Sequence, residues 1–429
     1  MSTAAESDDG TAVAEPVSGG TLRAFRHRDY TIFWLGALVS NTGSWLQNLT
    51  VPYVIFEITG SAFWVGVATA AQFLPGFFGS PLGGHLADTR ERRRLLIVLL
   101  SVMAVLAVGL WWTWESGSRS IAVILLLVSA SGLVWGTTLP SWQAFVNDLV
   151  PREDLVSAVS LNSLQFNAAR SLGPAVAGLV IASFGPGVAF GLNAASFVFV
   201  VGALLLVRVR SQVAGGIAPK LVSGFVEAVR YVPRQPGIAV VVVTVGLVGL
   251  LATPAFGFTV VFAGSVYDVG PLALGVLNTA LGVGAILAVP VVVRAKSHRG
   301  LAGSIRGGLL LQGGAIVAFG LAPGFVTGAL ALVAVGMGFL LTISSGNTAV
   351  QLIVAQRLRG RVMAVRLMVY MVATPIGALA QGSLSDRIGP RPTMVVAGVL
   401  VLVVAAWFLT RRGATQLARV DDPEDLSVT

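Results

Sequence analysis

The chain has 429 residues, 55% of them hydrophobic and only 11% charged, with a formal net charge of +9 and no cysteine. Its mean hydropathy is +0.84, and a soluble domain carries roughly 25% charged residues, so a soluble globular protein is excluded. The lack of cysteine excludes disulfides and thiolate metal sites.

Residues 1–29 open with MSTAAESDDGTAVAEPVSGG, an acidic polar stretch without an apolar core, which is expected to be a disordered tail and not a signal peptide. Apolar runs bounded by charge or Gly/Pro clusters then predict transmembrane helices at 30–57, 62–86, 95–114, 120–146, 156–183 and 188–207. About 20 apolar residues cross a ~30 Å hydrocarbon core as a helix that satisfies its own backbone. The short alternating segments of a membrane β-barrel are missing. A charged interruption at 208–236 follows, with an expected amphipathic surface helix at 221–231 built on Leu221, Val222, Phe225, Val226 and Val229. The second set of spans is predicted at 237–263, 271–293, 302–321, 325–354, 360–384 and 390–410, before a polar tail at 411–429.

The expected fold class is therefore all-α integral membrane: twelve transmembrane helices as two six-helix bundles, 30–207 and 237–410, joined by the 208–236 linker. A weak internal repeat supports this. DLVPREDLVSAVSL at 148–161 aligns with VAQRLRGRVMAVRL at 354–367, and GPAVAGLVIASFGPG with TPIGALAQGSLSDRIGPRP. Pseudo-symmetric halves are how many secondary transporters build two alternately exposed faces around a central site.

The positive charge is unevenly spread. With the N-terminus inside, basic clusters at Arg23–Arg28, Arg90–Arg94, Arg208–Arg234, Arg294–Arg299, Arg357–Arg361 and Arg411–Arg419 all fall on the cytoplasmic side, and the outer loops hold only Arg119, Arg387 and Arg391. This positive-inside imbalance predicts cytoplasmic termini in a bacterial-type inner membrane and makes nucleic acid unnecessary as a partner.

GGHLADTRERRRLLI, from position 83, occupies the inner loop between spans 2 and 3. Its Gly84, Asp88, Arg92 and Arg93 resemble the signature loop of the major facilitator superfamily, with Thr89 and Glu91 departing from the pattern. FRHRDYTIFWLGALVSNTGSWLQNLTVPYVIFEITGSAFWVG and LPSWQAFVNDLVPREDLVSAVSLNSLQFNAARSLGPAVAG resemble that superfamily's efflux branch of macrolide and enterobactin exporters, and the likeness runs from Phe25 to Thr410. Within it, Gly173, Pro174 and Gly178 match the core of a span-5 motif of exporters. The resemblance implies gating by these residues and by Gly84, Asp88, Arg92 and Arg93. The bland alternatives are topology setting for the loop and small-residue packing for span 5.

Polar residues in a membrane helix are costly unless they face a cavity or a partner. Asn41, Gln47 and Asn48 on span 1, Asn167 and Arg170 on span 5, and Arg366 and Tyr370 on span 11 are the candidate cavity residues, with interhelical hydrogen bonding as the alternative for each uncharged one. Arg170 falls near the bilayer centre, where it requires either a hydrated cavity or carbonyls freed by the Pro174 kink. Asp88 is expected near Gly360 and Arg361 at the start of span 11. All 19 acidic residues fall in tails, loops or span ends. Glu57, closing span 1, is the candidate for coupling to protons.

These readings predict a monomeric secondary carrier in the lipid bilayer that moves a small amphipathic molecule outward, with import or a non-transporting sensor as alternatives. No cofactor, metal site or catalytic residue is expected. No Gly-rich phosphate loop is present, so ATP is not expected as the energy source.

Overall fold

The computed structural model describes residues 22–208, 227–294, 300–356, 358–410, 418 and 420. Twelve long helices run through them. In order they are α1 (Arg28–Thr59), α2 (Ala62–Thr89), α3 (Arg92–Glu115) and α4 (Ile121–Asp148), then α5 (155–184) and α6 (186–206), which form one helical stretch broken at Gly185. The second set is α7 (Pro236–Val266), α8 (Pro271–Arg294), α9 (Leu301–Leu321), α10 (Phe325–Ile353), α11 (Arg359–Ile388) and α12 (Pro390–Trp407). Ten stretches are long and apolar enough to cross a membrane, the α5–α6 pair counting as one. α1 falls outside that set because Asn41, Thr42, Ser44, Gln47 and Asn48 dilute its apolar run. No strand occurs among the described residues.

The two halves repeat a device visible in the sequence. Gly185 (φ +84°) and Gly389 (φ +90°) take backbone conformations that side chains disfavour, and Pro186 and Pro390 then start α6 and α12 with a pre-set φ. Each Gly-Pro pair turns the chain tightly back through the membrane. Of the expected surface helix at 221–231, residues 227–231 are helical and 221–226 lie outside the described residues.

Within the first half α1 packs on the α5–α6 stretch and α2 on α4; within the second, α8 and α9 flank α10, and α9 meets α12. Glycines set these distances. At Gly83 and Gly136 an added Cβ would collide with the backbone of Thr137 and Gly76, and at Gly284 and Gly336 with Val333 and Leu281. Such close approach replaces the hydrophobic drive that lipid removes. Large apolar side chains such as Val105, Leu126, Phe184, Val198, Phe199 and Val326 stand exposed on the perimeter, as a lipid-facing surface requires.

α7 departs from a regular helix. Residues 248–252 and 262–266 are π-helical turns flanking Pro254, and the proline leaves the Leu250 carbonyl without its usual amide. Gln381 Nε2 of α11 donates to the carbonyls of Leu250 and Leu251, each at 3.0 Å. Gln381 thus satisfies the break in α7 from a neighbouring helix.

One end of the bundle carries Arg92–Arg94, Arg152, Arg208 and Arg361; the opposite end carries the α1–α2 and α11–α12 turns. At the basic end the segment before α1 is fastened to the start of α5. Asp154 lies 3.2 Å from Arg23 Nε and 2.8 Å from His27 Nε2, and Tyr30 donates to the Ala158 carbonyl at 2.9 Å. The hydrogen bond from His27, followed by the charge of Arg23, holds the Asp154 carboxyl below its ordinary value of 3.8. A lowered carboxyl pKa stabilises the fold above the ordinary range and loses that contribution as pH falls through the lowered value. Asp154→Asn is therefore expected to lower the melting temperature at pH 7, with the gap to wild type closing as pH drops below 3.8. A gap that stays constant on acidification would contradict this.

Candidate functional site

α5 presents one face to the other half. Val156, Ser160, Ser163, Asn167 and Arg170 recur every three or four residues and are exposed, whereas Gly173, Pro174, Ala177 and Gly178 further along are buried. The stripe is open from the basic end up to Arg170 and sealed beyond it. The seal is a backbone contact: a Cβ on Gly178 would sit 2.8 Å from Gly275 Cα and 2.7 Å from Pro271 O of α8, and one on Gly275 would sit 2.7 Å from Pro174 O. Gly173 instead faces Trp45 of α1, 2.5 Å from its Cβ. The span-5 motif thus grips its own half with one glycine and the opposite half with the other.

The pseudo-symmetric junction between α2 and α11 closes in the same way. A Cβ on Gly66 would meet the Ala378 carbonyl 2.5 Å away, and one on Gly382 the Ala62 carbonyl at 2.6 Å. Asp386, in the last turn of α11, then reaches across the halves. It accepts from Ser61 Oγ at 2.5 Å, from the Ala62 amide at 2.8 Å and from the Phe63 amide at 3.3 Å, capping the positive end of α2. Sequence reasoning missed Asp386. Its signal was present: a carboxylate at a helix C-terminus opposes its own helix dipole, so its favourable partner must lie elsewhere.

At the sealed end of the stripe the Arg170 guanidinium lies 5.8 Å from the Phe339 ring centroid of α10. Among the described residues it makes no hydrogen bond to a carbonyl and no ion pair, so the Pro174 kink does not hold it. On α11, the Tyr370 hydroxyl accepts from Thr253 Oγ1 at the α7 break, 3.3 Å away. Arg366, one turn nearer the basic end, donates from Nη2 to Asn347 Oδ1 at 2.9 Å, while its Nε is buried without a partner.

Of the other candidate cavity residues, Gln47 and Asn48 are engaged by interhelical bonds. Asn193 of α6 donates to Gln47 Oε1 at 2.6 Å, Gln72 of α2 donates to Asn48, and Asn167 folds back onto the Ser163 carbonyl at 2.8 Å while staying exposed. Asn41 is buried in α1. Glu57 is exposed at the sealed end beside Tyr53, on a cleft of about 320 Å³ that Phe56, Gly264, Pro271 and Leu274 also line.

The signature-loop arginines brace the first half. Arg92 donates from Nη1 to both Asp148 oxygens at 2.9 and 3.0 Å, and Arg93 donates to the Leu204 and Leu205 carbonyls at 2.8 and 3.0 Å, satisfying the C-terminal end of α6. Asp88 is half-buried and makes no side-chain hydrogen bond or ion pair among the described residues. Arg361 instead pairs with Glu227 at 2.6 Å, and nothing lies within 4 Å of a Cβ placed on Gly84 or Gly360. The halves stand apart at this end.

Among the described residues no group of three or more His, Asp or Glu could hold a metal ion. The arrangement is an exposed polar stripe on α5 that ends where small residues seal the two halves, with guanidinium, phenol and aromatic groups gathered at that end.

Comparison with known proteins agrees with that geometry. The family described as transmembrane secretion effector matches residues 19–423. The multidrug efflux pump Tap of Mycolicibacterium fortuitum is 25% identical over 89% of this chain and 96% of its own length. The enterobactin exporter EntS of Citrobacter koseri is 24% identical over 92% and 95%. In structure, the nucleoside transporter NupG superposes with a TM-score of 0.71 at 14% identity, covering 89% of this chain and 98% of that one. The sealed double-junction fold and these matches together make the chain a member of the transmembrane secretion effector family of the major facilitator superfamily, a multi-pass transporter and not an enzyme.

Proposed function

We propose that the chain is a secondary carrier that exports a small amphipathic organic molecule by alternating access, acting as a monomer in a bacterial-type inner membrane with both termini in the cytoplasm. What carries this reading is the α5 stripe that is open at the basic end and sealed beyond Arg170. By the positive-inside rule the basic end is cytoplasmic; this opening is the loading state on the export reading, and the direction itself rests on the efflux relatives. The bundles 30–207 and 237–410 are the two moving bodies, with 1–29, 208–236 and 411–429 on the cytoplasmic side. The efflux proteins among the relatives support the outward direction.

In the alternate state the basic end must close. Gly84, Asp88, Arg92 and Arg93 would then approach Gly360 and Arg361, with Asp88 facing the positive N-terminal end of α11. Proton coupling is assigned to Glu57, which lies by the sealed junction and is exposed at that end, so parting of the junction changes its surroundings.

Everted vesicles loaded with the protein and given a panel of labelled drugs and siderophores test this. An imposed pH gradient or potential should drive accumulation of at least one compound, and Glu57→Gln should remove the pH-driven part. Movement in the opposite direction only would establish import.

A further inference from the structure

We infer that the substrate is an organic anion with an aromatic body, bound at the sealed end of the α5 stripe by Arg170 and admitted past Arg366; this rests on the export reading above. Counting at 1.5 Å per residue, Arg366 lies roughly 10 Å along α11 from Arg359, and Arg170 roughly 22 Å along α5 from Leu155. The two guanidiniums therefore form a ladder from the basic end toward the sealed junction. Tyr370 stands between them, one turn beyond Arg366 on the same helix face.

A charge at this depth costs several kcal/mol unless it is hydrated or paired. Among the described residues no carboxylate is available to either arginine: each acidic residue sits at a helix end or in a loop, and Glu57 and Asp386 lie on the far side of the sealed junctions. Arg170 touches instead the face of Phe339. Arg170 is exposed, so water hydrates it at rest, and an anion is what replaces that hydration when a ligand displaces the water; the Phe339 contact adds only weakly. Arg366 has Asn347 as a neutral acceptor but leaves its buried Nε unpartnered. Both sites are thus short of negative charge and bordered by flat apolar surface. A planar guanidinium fits a carboxylate, sulfonate or catecholate through paired hydrogen bonds, and the Phe339 ring beside it fits an aromatic carbon frame.

The matched pair naphthalene-2-sulfonate and naphthalene-2-sulfonamide separates charge from shape. With purified full-length protein, the sulfonate should raise the melting temperature in a saturable way and the neutral sulfonamide should do so at least tenfold more weakly by concentration. Arg170→Gln should weaken the sulfonate response tenfold or more with the resting melting temperature unchanged, because no protein hydrogen bond is lost. Arg170→Lys keeps the charge but loses the paired hydrogen bonds, so it should weaken the sulfonate response while keeping the preference for sulfonate over sulfonamide, and this variant decides the matter if Arg170→Gln does not fold. Inorganic phosphate alone, which carries charge without a ring, should give no more protection than sulfonamide.

Equal responses to the two naphthalene probes, no response of wild type to the sulfonate, a wild-type response in Arg170→Gln, a lost preference for sulfonate in Arg170→Lys, or full protection by phosphate would each overturn the inference. Failure of the export reading is seen separately. If no compound moves in the everted vesicles, that reading falls whatever the probes do. If neutral compounds move and the sulfonate does not bind, only the anion inference falls.

Discussion

Gly178→Val is expected to abolish transport while leaving both halves folded. In the sealed junction the first added carbon would sit 2.7 Å from Pro271 O and 2.8 Å from Gly275 Cα, and both obstacles are backbone, which cannot rotate aside. Overpacking of this kind costs about 1–3 kcal/mol before the valine methyls are added. The cost falls only on the conformation in which α5 and α8 touch, so the equilibrium moves toward the state with that end parted by a factor of roughly 5–150. A cysteine placed at Ser171, in a chain that otherwise has none, reports the change. It should become reactive to an impermeant thiol reagent from the Glu57 side in the variant and stay protected in the parent. Unaltered labelling together with normal transport would show that this junction does not govern access.

Asp386→Ala should act in the same direction by a different route. The substitution removes three acceptor contacts to Ser61, Ala62 and Phe63 and leaves the first amides of α2 without their cap. Hydrogen bonds to a charged group are worth about 1.5–3 kcal/mol, and water at this exposed position recovers part of that. A loss of transport of about tenfold, the equivalent of 1.4 kcal/mol, is expected, with the same gain in labelling at Ser171. Asp386→Asn keeps an acceptor and should fall between the two. The two junctions are separate contacts that bias one equilibrium, so in the double variant their free-energy shifts should add and the gain in labelling at Ser171 should exceed that of either single change. A double variant that labels no more than Asp386→Ala alone would mean that Gly178 and Asp386 serve separate states.

Much of this was legible in the sequence because membrane helices must announce themselves by length and apolarity. The predicted span 271–293 became Pro271–Arg294 and 325–354 became Phe325–Ile353. The ends of α11 were less clear, 360–384 against Arg359–Ile388, since its final turn carries Ser385, Asp386 and Arg387 and so reads as loop. Arg170 was identifiable as a charge near the bilayer centre, but its position facing Phe339 was not, because that contact joins residues on different halves. The same holds for Gly275, whose importance comes from Pro174 and Gly178 across the junction. That Gln381 serves the broken α7 depends on Pro254 and the π turns, which leave no periodicity signal of their own.

The confinement of carboxylates to helix ends also bears on energetics. On the proposed reading, with Glu57 as the coupling group and an anionic substrate, a cycle would exchange one proton inward for one substrate anion outward. Negative charge leaving and positive charge entering are the same electrical movement, so two charges cross per turnover. Under an inside-negative potential each contributes about 2.3 kcal/mol per 100 mV, or about 4.6 kcal/mol together. That sustains a substrate gradient of about three orders of magnitude at 1.4 kcal/mol per tenfold, even where the two solutions share the same pH.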